Sequence, residues 1–207
     1  MARGIITKKP GGTTPTGRLI VSEVVSDPGG KMAPINPGKL VEFKLDQCPD
    51  IGNLVDFVID PASGFAMNVK ATGTVATVIS GDATEDINVG RGEYYLLDAA
   101  NVEGGIGVDG GIIVIANSSN VSGKIVSTTA DSYILINGSN TDGKVESNNG
   151  GVLSMESCTS VGKVTSTANK IAIVTNCNIS GKLEVLKAAQ CYLSGNTVQG
   201  PTNTDCR

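Results

Sequence analysis

Histidine and tryptophan are absent from this 207-residue chain, and aromatic residues make up only 3% of it. Without imidazole there is no Ser-His-Asp or Cys-His nucleophile arrangement. Histidine-containing zinc sites and imidazole acid–base chemistry are excluded with it. No two of the five cysteines form a CxxC; they are Cys48, Cys158, Cys177, Cys191 and Cys206. Their odd number and wide spacing do not suit a small disulfide framework. Reduced thiols are the default reading, with a Cys191–Cys206 bridge clipping the C-terminal end as the alternative. The opening MARGIITKKPGG lacks the apolar segment of a secretory signal peptide. No apolar run is long enough to span a membrane. A cytoplasmic or virion-associated protein without membrane insertion is expected. A net charge of −4 argues against a generally basic nucleic-acid binder.

What is present is glycine, 27 residues of it, and a hydrophobic fraction of 40%. That mixture suits many short strands joined by polar turns. A glycine recurs every 19 or 20 residues, at Gly104, Gly123, Gly143, Gly162 and Gly181. The last four begin GKI, GKV, GKV and GKL, and the frame extends back to Glu85. Just after the glycine runs the column Ile87, Ile106, Ile125, Val145, Val164, Leu183, and two places on Val89, Val108, Ser127, Ser147, Ser166, Val185. This period-two alternation marks a strand with one buried face. A second strand carries Tyr95, Val114, Ile134, Leu153, Ala172, Cys191 and then Leu97, Ala116, Ile136, Met155, Val174, Leu193. A small-residue column (Ala100, Ser119, Ser139, Cys158, Cys177, Asn196) and an Asn-rich column (Asn101, Asn120, Asn140, Thr159, Asn178, Thr197) follow.

A unit of this length holds three short strands and three corners, and stacked units pair strand to strand at about 4.8 Å. Residues 85–200 therefore read as a parallel β-helix of about six coils, right-handed by the general preference of parallel crossovers. The Asn-rich column offers amides that hydrogen-bond along the stack and tolerate left-handed corners. The GK-[ILV] repeat of residues 123–200 resembles the bactofilins, polymer-forming bacterial cytoskeletal proteins that assemble without a nucleotide. The resemblance implies end-to-end polymerisation.

The outward positions of the second strand are apolar as well: Tyr94, Leu96, Ile113, Ile115, Tyr133, Leu135, Val152, Ile171, Ile173 and Tyr192. Strands apolar on both faces are normally covered on both. A bare prism would expose a continuous patch of the kind that marks interaction surfaces. These ten residues are the expected oligomer interface, building a trimer or a filament. The alternative is cover by the N-terminal segment. Lys124, Lys144, Lys163 and Lys182 form a stripe on the first strand, partly offset by Glu146 and Glu184. It reads as a solvated face, or else as a site for an anionic polymer or partner. The stretch Gly104 to Ile112 approaches a calcium-binding nonapeptide, but it stands as one copy where such sites need tandem copies. The aspartates share no column, as paired catalytic carboxylates would. No catalytic, cofactor or metal residues are assigned.

Residues 1–72 lack the repeat. They read as five strands, 4–8, 18–25, 40–45, 54–59 and 66–71, with turns at Gly11-Gly12, 27–30, 48–50 and 60–64. Five strands in such a length suggest a small barrel. Gly52, Val55, Phe57, Gly64, Ala66, Asn68 and Val69 resemble the last hairpin of cold-shock domains, which implies an OB-like barrel. That family binds single strands on aromatic platforms. Here the matching stretches GRLIVSEV and VEFKLD hold only Phe43, so nucleic-acid binding is not expected.

The expected organisation is all-β: an OB-like barrel over 1–72, a bridge or capping strand over 73–84, the β-helix over 85–200 and a tail over 201–207. The expected function is a non-catalytic structural protein that self-assembles, as a scaffold or in the manner of a virion spike. The alternative is a binding module for an anionic ligand, glycan or single-stranded nucleic acid, and after it a polysaccharide-active enzyme.

Overall fold

The computed structural model describes residues 1–11, 16–24, 36–44 and 48–206. They are all-β, with no helix among them. The chain divides into two compact units, Met1–Val78 and Ile79–Arg207.

In the first unit, β1 (Ala2–Lys8), β2 (Gly17–Val24), β3 (Leu40–Phe43), β4 (Asn53–Ile59) and β5 (Ala66–Val75) close a barrel in the order β1-β2-β3-β5-β4. Its pairings are mixed, because β3 runs parallel to β5 while the others are antiparallel. Alternation places Ile6, Leu19, Val21, Phe43, Val55 and Phe57 in its core. Arg3 ties three strands together, meeting Glu23 at 2.9 Å and Asp56 at 3.0 Å. The five expected strands are all present within a few residues of their expected bounds. Gly12, Val25, residues 27–30 and Leu45 lie outside the described residues.

The second unit is a parallel β-solenoid of about eight turns, counting partial ones at each end. Its first strands form one seven-stranded sheet: Ile87–Val89, Ile106–Val108, Ile125–Ser127, Val145–Asn148, Val164–Thr167, Leu183–Ala188 and Thr202–Cys206. The second and third strands of the coils share a twelve-stranded sheet. The repeat extends beyond 85–200 in both directions. The expected bridge holds β6 (Thr77–Ala83), which pairs with the third-strand part of the first coil, while Ile79 and Ala83 pack on the interior. The expected tail supplies a seventh first strand, Thr202–Cys206, paired with Leu183–Ala188.

The corner glycines have a steric cause. A Cβ on Gly123, Gly143, Gly162 or Gly181 would collide with the carbonyl oxygen of the glycine one coil below. Left-handed backbone lies at other corners, in the column Ala99, Ser118, Gly138, Ser157, Asn176 and Gly195 and in the column Asn149, Ala168 and Lys187. The Asn-rich column is extended instead. Its amides bond along the stack, Asn120 to Asn101 at 2.9 Å and Asn140 to Asn120 at 2.8 Å.

Midway along, the aliphatic interior turns polar. Ser127 and Ser147 hydrogen-bond at 3.0 Å. Asn169, 2% exposed, donates to Ser147 and Ser166 and accepts from the Gly150 amide. Buried polar groups paired in this way avoid the desolvation penalty of unmade hydrogen bonds.

Candidate functional site

The second strand departs from its expected register in one coil. Ile113 pairs with Ile134 and Tyr95, and Ile115 with Ile136 and Leu97. Ile113 and Ile115 therefore point into the interior, and Ile112 and Val114 take the outward places. The turn before this strand is one residue shorter than in the coils that start at Val145, Val164 and Leu183, and two shorter than in the coil that starts at Ile125. The corner after it is one longer, with Asn117 and Ser118 both left-handed. A one-residue shift exchanges the two faces of a strand. The run Ile112–Ala116 is apolar throughout, so alternation alone could not phase it.

The outward column is not a wetted wall. Leu96 and Leu135 are 0% exposed, and Val152 and Ile173 are buried. Tyr94, Tyr133 and Ile171 are half-buried, which leaves Tyr192 as the exposed member at 40%. Most of these side chains are therefore buried or half-buried within the single chain, and the apolar column is not a continuous solvent-facing patch.

The lysine stripe is largely neutralised. Lys144 meets Glu146 at 2.8 Å, Lys163 meets Glu184 at 3.1 Å, and Lys182 meets Glu184 at 2.7 Å. Hydrogen bonds from Lys182 and then Lys163 hold the Glu184 carboxyl down to about 2. Among the described residues Lys124 has no such partner.

Lys124 instead flanks a trough of about 740 Å³ on the outer face of the seven-stranded sheet. Gly105 and Gly107 form its floor, where the other coils carry side chains. Asp86 and Asn88 line one wall, Lys124, Val126 and Thr128 the other, and Asp109 stands at one end. Asp86 is oriented by the Gly105 amide, which donates to its Oδ1 at 2.6 Å. The sequence signal was two glycines at outward strand positions.

The last coil contrasts with the buried coils before it. Thr202–Cys206 is exposed along its length, and Gln190–Ser194 and Thr197–Val198 are at most half-buried. A cavity of about 460 Å³ opens there between Leu183, Leu193, Val198 and Thr204. Of the two thiol readings the bridge is present. A Cys191–Cys206 disulfide, with Cα atoms 5.8 Å apart, ties the edge strand to the coil.

Cys48, Cys158 and Cys177 are free thiols. Cys158 and Cys177 lie in the small-residue column, whose members donate to corner carbonyls. Ser119 Oγ reaches Ala116 at 2.7 Å, Cys158 Sγ reaches Glu156 at 3.1 Å, and Cys177 Sγ reaches Thr175 at 3.2 Å. Hydrogen bonding to Cys177 and burial push the Cys158 thiol well up. Their geometry is that of corner fasteners. Among the described residues no three His, Cys, Asp or Glu side chains converge as a metal site would require. In the barrel, Phe43 is fully buried and offers no stacking surface.

No protein-family model, no curated protein and no solved structure matches this chain.

Proposed function

We propose that this is a non-catalytic structural protein whose β-solenoid self-associates through its last coil. The observation that carries this reading is the contrast between the two ends. The first coil's interior residues Val89, Leu97, Ala100 and Val102 are buried. The last coil leaves a mouth lined by Leu183, Leu193 and Val198 together with Ser194, Asn196, Thr202 and Thr204, and a row of exposed edge strands. Unpaired edges are templates for pairing with another chain.

The occupant that fits is a second copy of the same end. About a two-fold axis through Thr204, Thr202–Cys206 faces its own copy antiparallel. Asn203 then stands opposite Asp205 of the partner, twice, as an amide donor against a carboxylate acceptor. Such an isologous contact is self-complementary and closed. In this reading the barrel is an OB-like module, supported by its strand order and its parallel β3–β5 closure, and the solenoid winds right-handed.

Sedimentation velocity at low and high concentration tests the reading. A concentration-dependent dimer is expected. Asn203→Asp sets like charges opposite each other, and cross-strand pairs of this kind are worth about 0.2–1 kcal/mol each. The variant therefore dimerises more weakly, and Asn203→Asp with Asp205→Asn restores pairing. A wild-type species that stays at 21.1 kDa throughout overturns the proposal.

A further inference from the structure

We propose that the trough over Gly105 and Gly107 is a binding site for a neutral glycan. The case begins with two kinds of glycine in one solenoid. The corner glycines are obligatory, because a Cβ there meets backbone. Gly105 and Gly107 have no such reason. A Cβ on Gly107 would meet the Asn88 side chain, at 2.9 Å, and nothing else closer than 4 Å. A Cβ on Gly105 would make only close to ordinary contacts, beginning with Asp86 Oδ1 at 3.3 Å. Neither has a positive φ. Glycine inside a strand weakens it and often marks the place where a ligand or another backbone approaches closely.

In the later coils the Gly107 position holds Val126, Glu146, Thr165 and Glu184. Removing the side chains from one coil opens a channel between its neighbours. The walls stand two coil spacings apart, about 10 Å, enough for one pyranose ring lying on the glycine floor. The volume of about 740 Å³ falls in the range of small-ligand pockets.

The wall chemistry selects the class of ligand. Gly105 and Gly107 belong to the strand Ile106–Val108 and its flank, and that strand is paired on both sides. A peptide laid over it finds no unpaired backbone to extend. The two carboxylates Asp86 and Asp109 disfavour an anionic ligand, and Lys124 opposes a cation. Of the apolar lining residues Val89, Ile106 and Val108 pack into the solenoid core, so Val126 alone gives the walls an apolar side chain, too little for hydrophobic anchoring. What remains is a mixture of acceptors and donors, Asp86, Asn88, Asp109, Lys124 and Thr128, around an open floor. Hydroxyl groups, each able to donate and accept, match that mixture.

The test is binding of the full chain to an array of neutral glycans, followed by titration of ¹⁵N-labelled protein with the best trisaccharide from it. Amide shifts are expected in three separate stretches, around Asp86–Gly90, Gly105–Asp109 and Lys124–Thr128. Gly107→Leu fills the channel and should lower the affinity by about tenfold or more with the thermal midpoint preserved. Asp86→Ala with Asn88→Ala, which empties one wall without adding bulk, should do the same. The inference is overturned if no neutral glycan binds, if binding survives both variants, or if the trough takes an anionic polymer or a peptide instead.

Discussion

In the barrel each buried side chain has a place of its own, whereas in the solenoid each is one member of a column. Phe43 and Phe57 are buried among unrelated neighbours in the barrel core. Val145 lies between Ile125 and Val164, both aliphatic and both equivalent to it. The column is therefore its own control. A residue that departs from it is accounted for either by its local contacts, as Asn169 is, or by something outside the fold, as is inferred for Gly107. The barrel offers no such comparison.

The contrast has a cost scale. Phe57→Ala removes a large side chain from a core with no equivalent above or below it, and about 3–5 kcal/mol of stability should be lost. Val145→Ala, flanked by intact column members, should lose clearly less. Chemical denaturation of the two variants measures both. Equal losses would break the distinction between unique and repeated positions.

Within the solenoid the two kinds of glycine should answer one substitution with opposite signs. Gly143→Ala drives a Cβ against the Gly123 carbonyl, and overpacking of this kind costs about 1–3 kcal/mol. Gly107→Ala relieves a mid-strand glycine and should stabilise by about 0.5–1 kcal/mol. Thermal midpoints of the two variants decide it. A Gly107→Ala variant as damaged as Gly143→Ala would make both glycines structural.

Columns also explain how much of the fold is legible in the sequence. The solenoid was legible because several columns agree in register, and the barrel strands because turns and alternation bound them. The second-strand face around Ile113 and Ile115 was misplaced because Ile112–Ala116 contains no polar residue to set its phase. A shortened turn and a lengthened corner compensate each other there, so the overall period hides the shift. The strand Thr202–Cys206 was read as a tail because its interior places hold Thr202 and Thr204, not aliphatics. Pro201 also stands where the four preceding coils have lysine. The burial of Leu96 and Leu135 is a tertiary fact that no column encodes. The trough was written in the sequence as Gly105 and Gly107, yet two more glycines in a glycine-rich chain carry no signal until the corner glycines have been explained.

The smallest effect concerns charge on the same sheet face. Glu184 sits between Lys182 and Lys163, which hold its carboxyl near 2 against an ordinary value of 4.5. A carboxylate whose folded value is depressed contributes stability above its unfolded value and loses it as pH falls towards the folded one. That contribution is thus complete above about pH 4.5 and fades towards about pH 2. Because its lysine partners are partly exposed at the surface, salt screens the interaction. Thermal midpoints of the wild type and Glu184→Gln should differ at neutral pH and low salt. The two should converge on acidification or at high salt. In the trough coil the glycines remove the neighbouring side chains, so Lys124→Gln should leave the acid profile unchanged. Parallel wild-type and Glu184→Gln profiles down to about pH 2 would show that the stripe is only a solvated surface, with no linkage to folding.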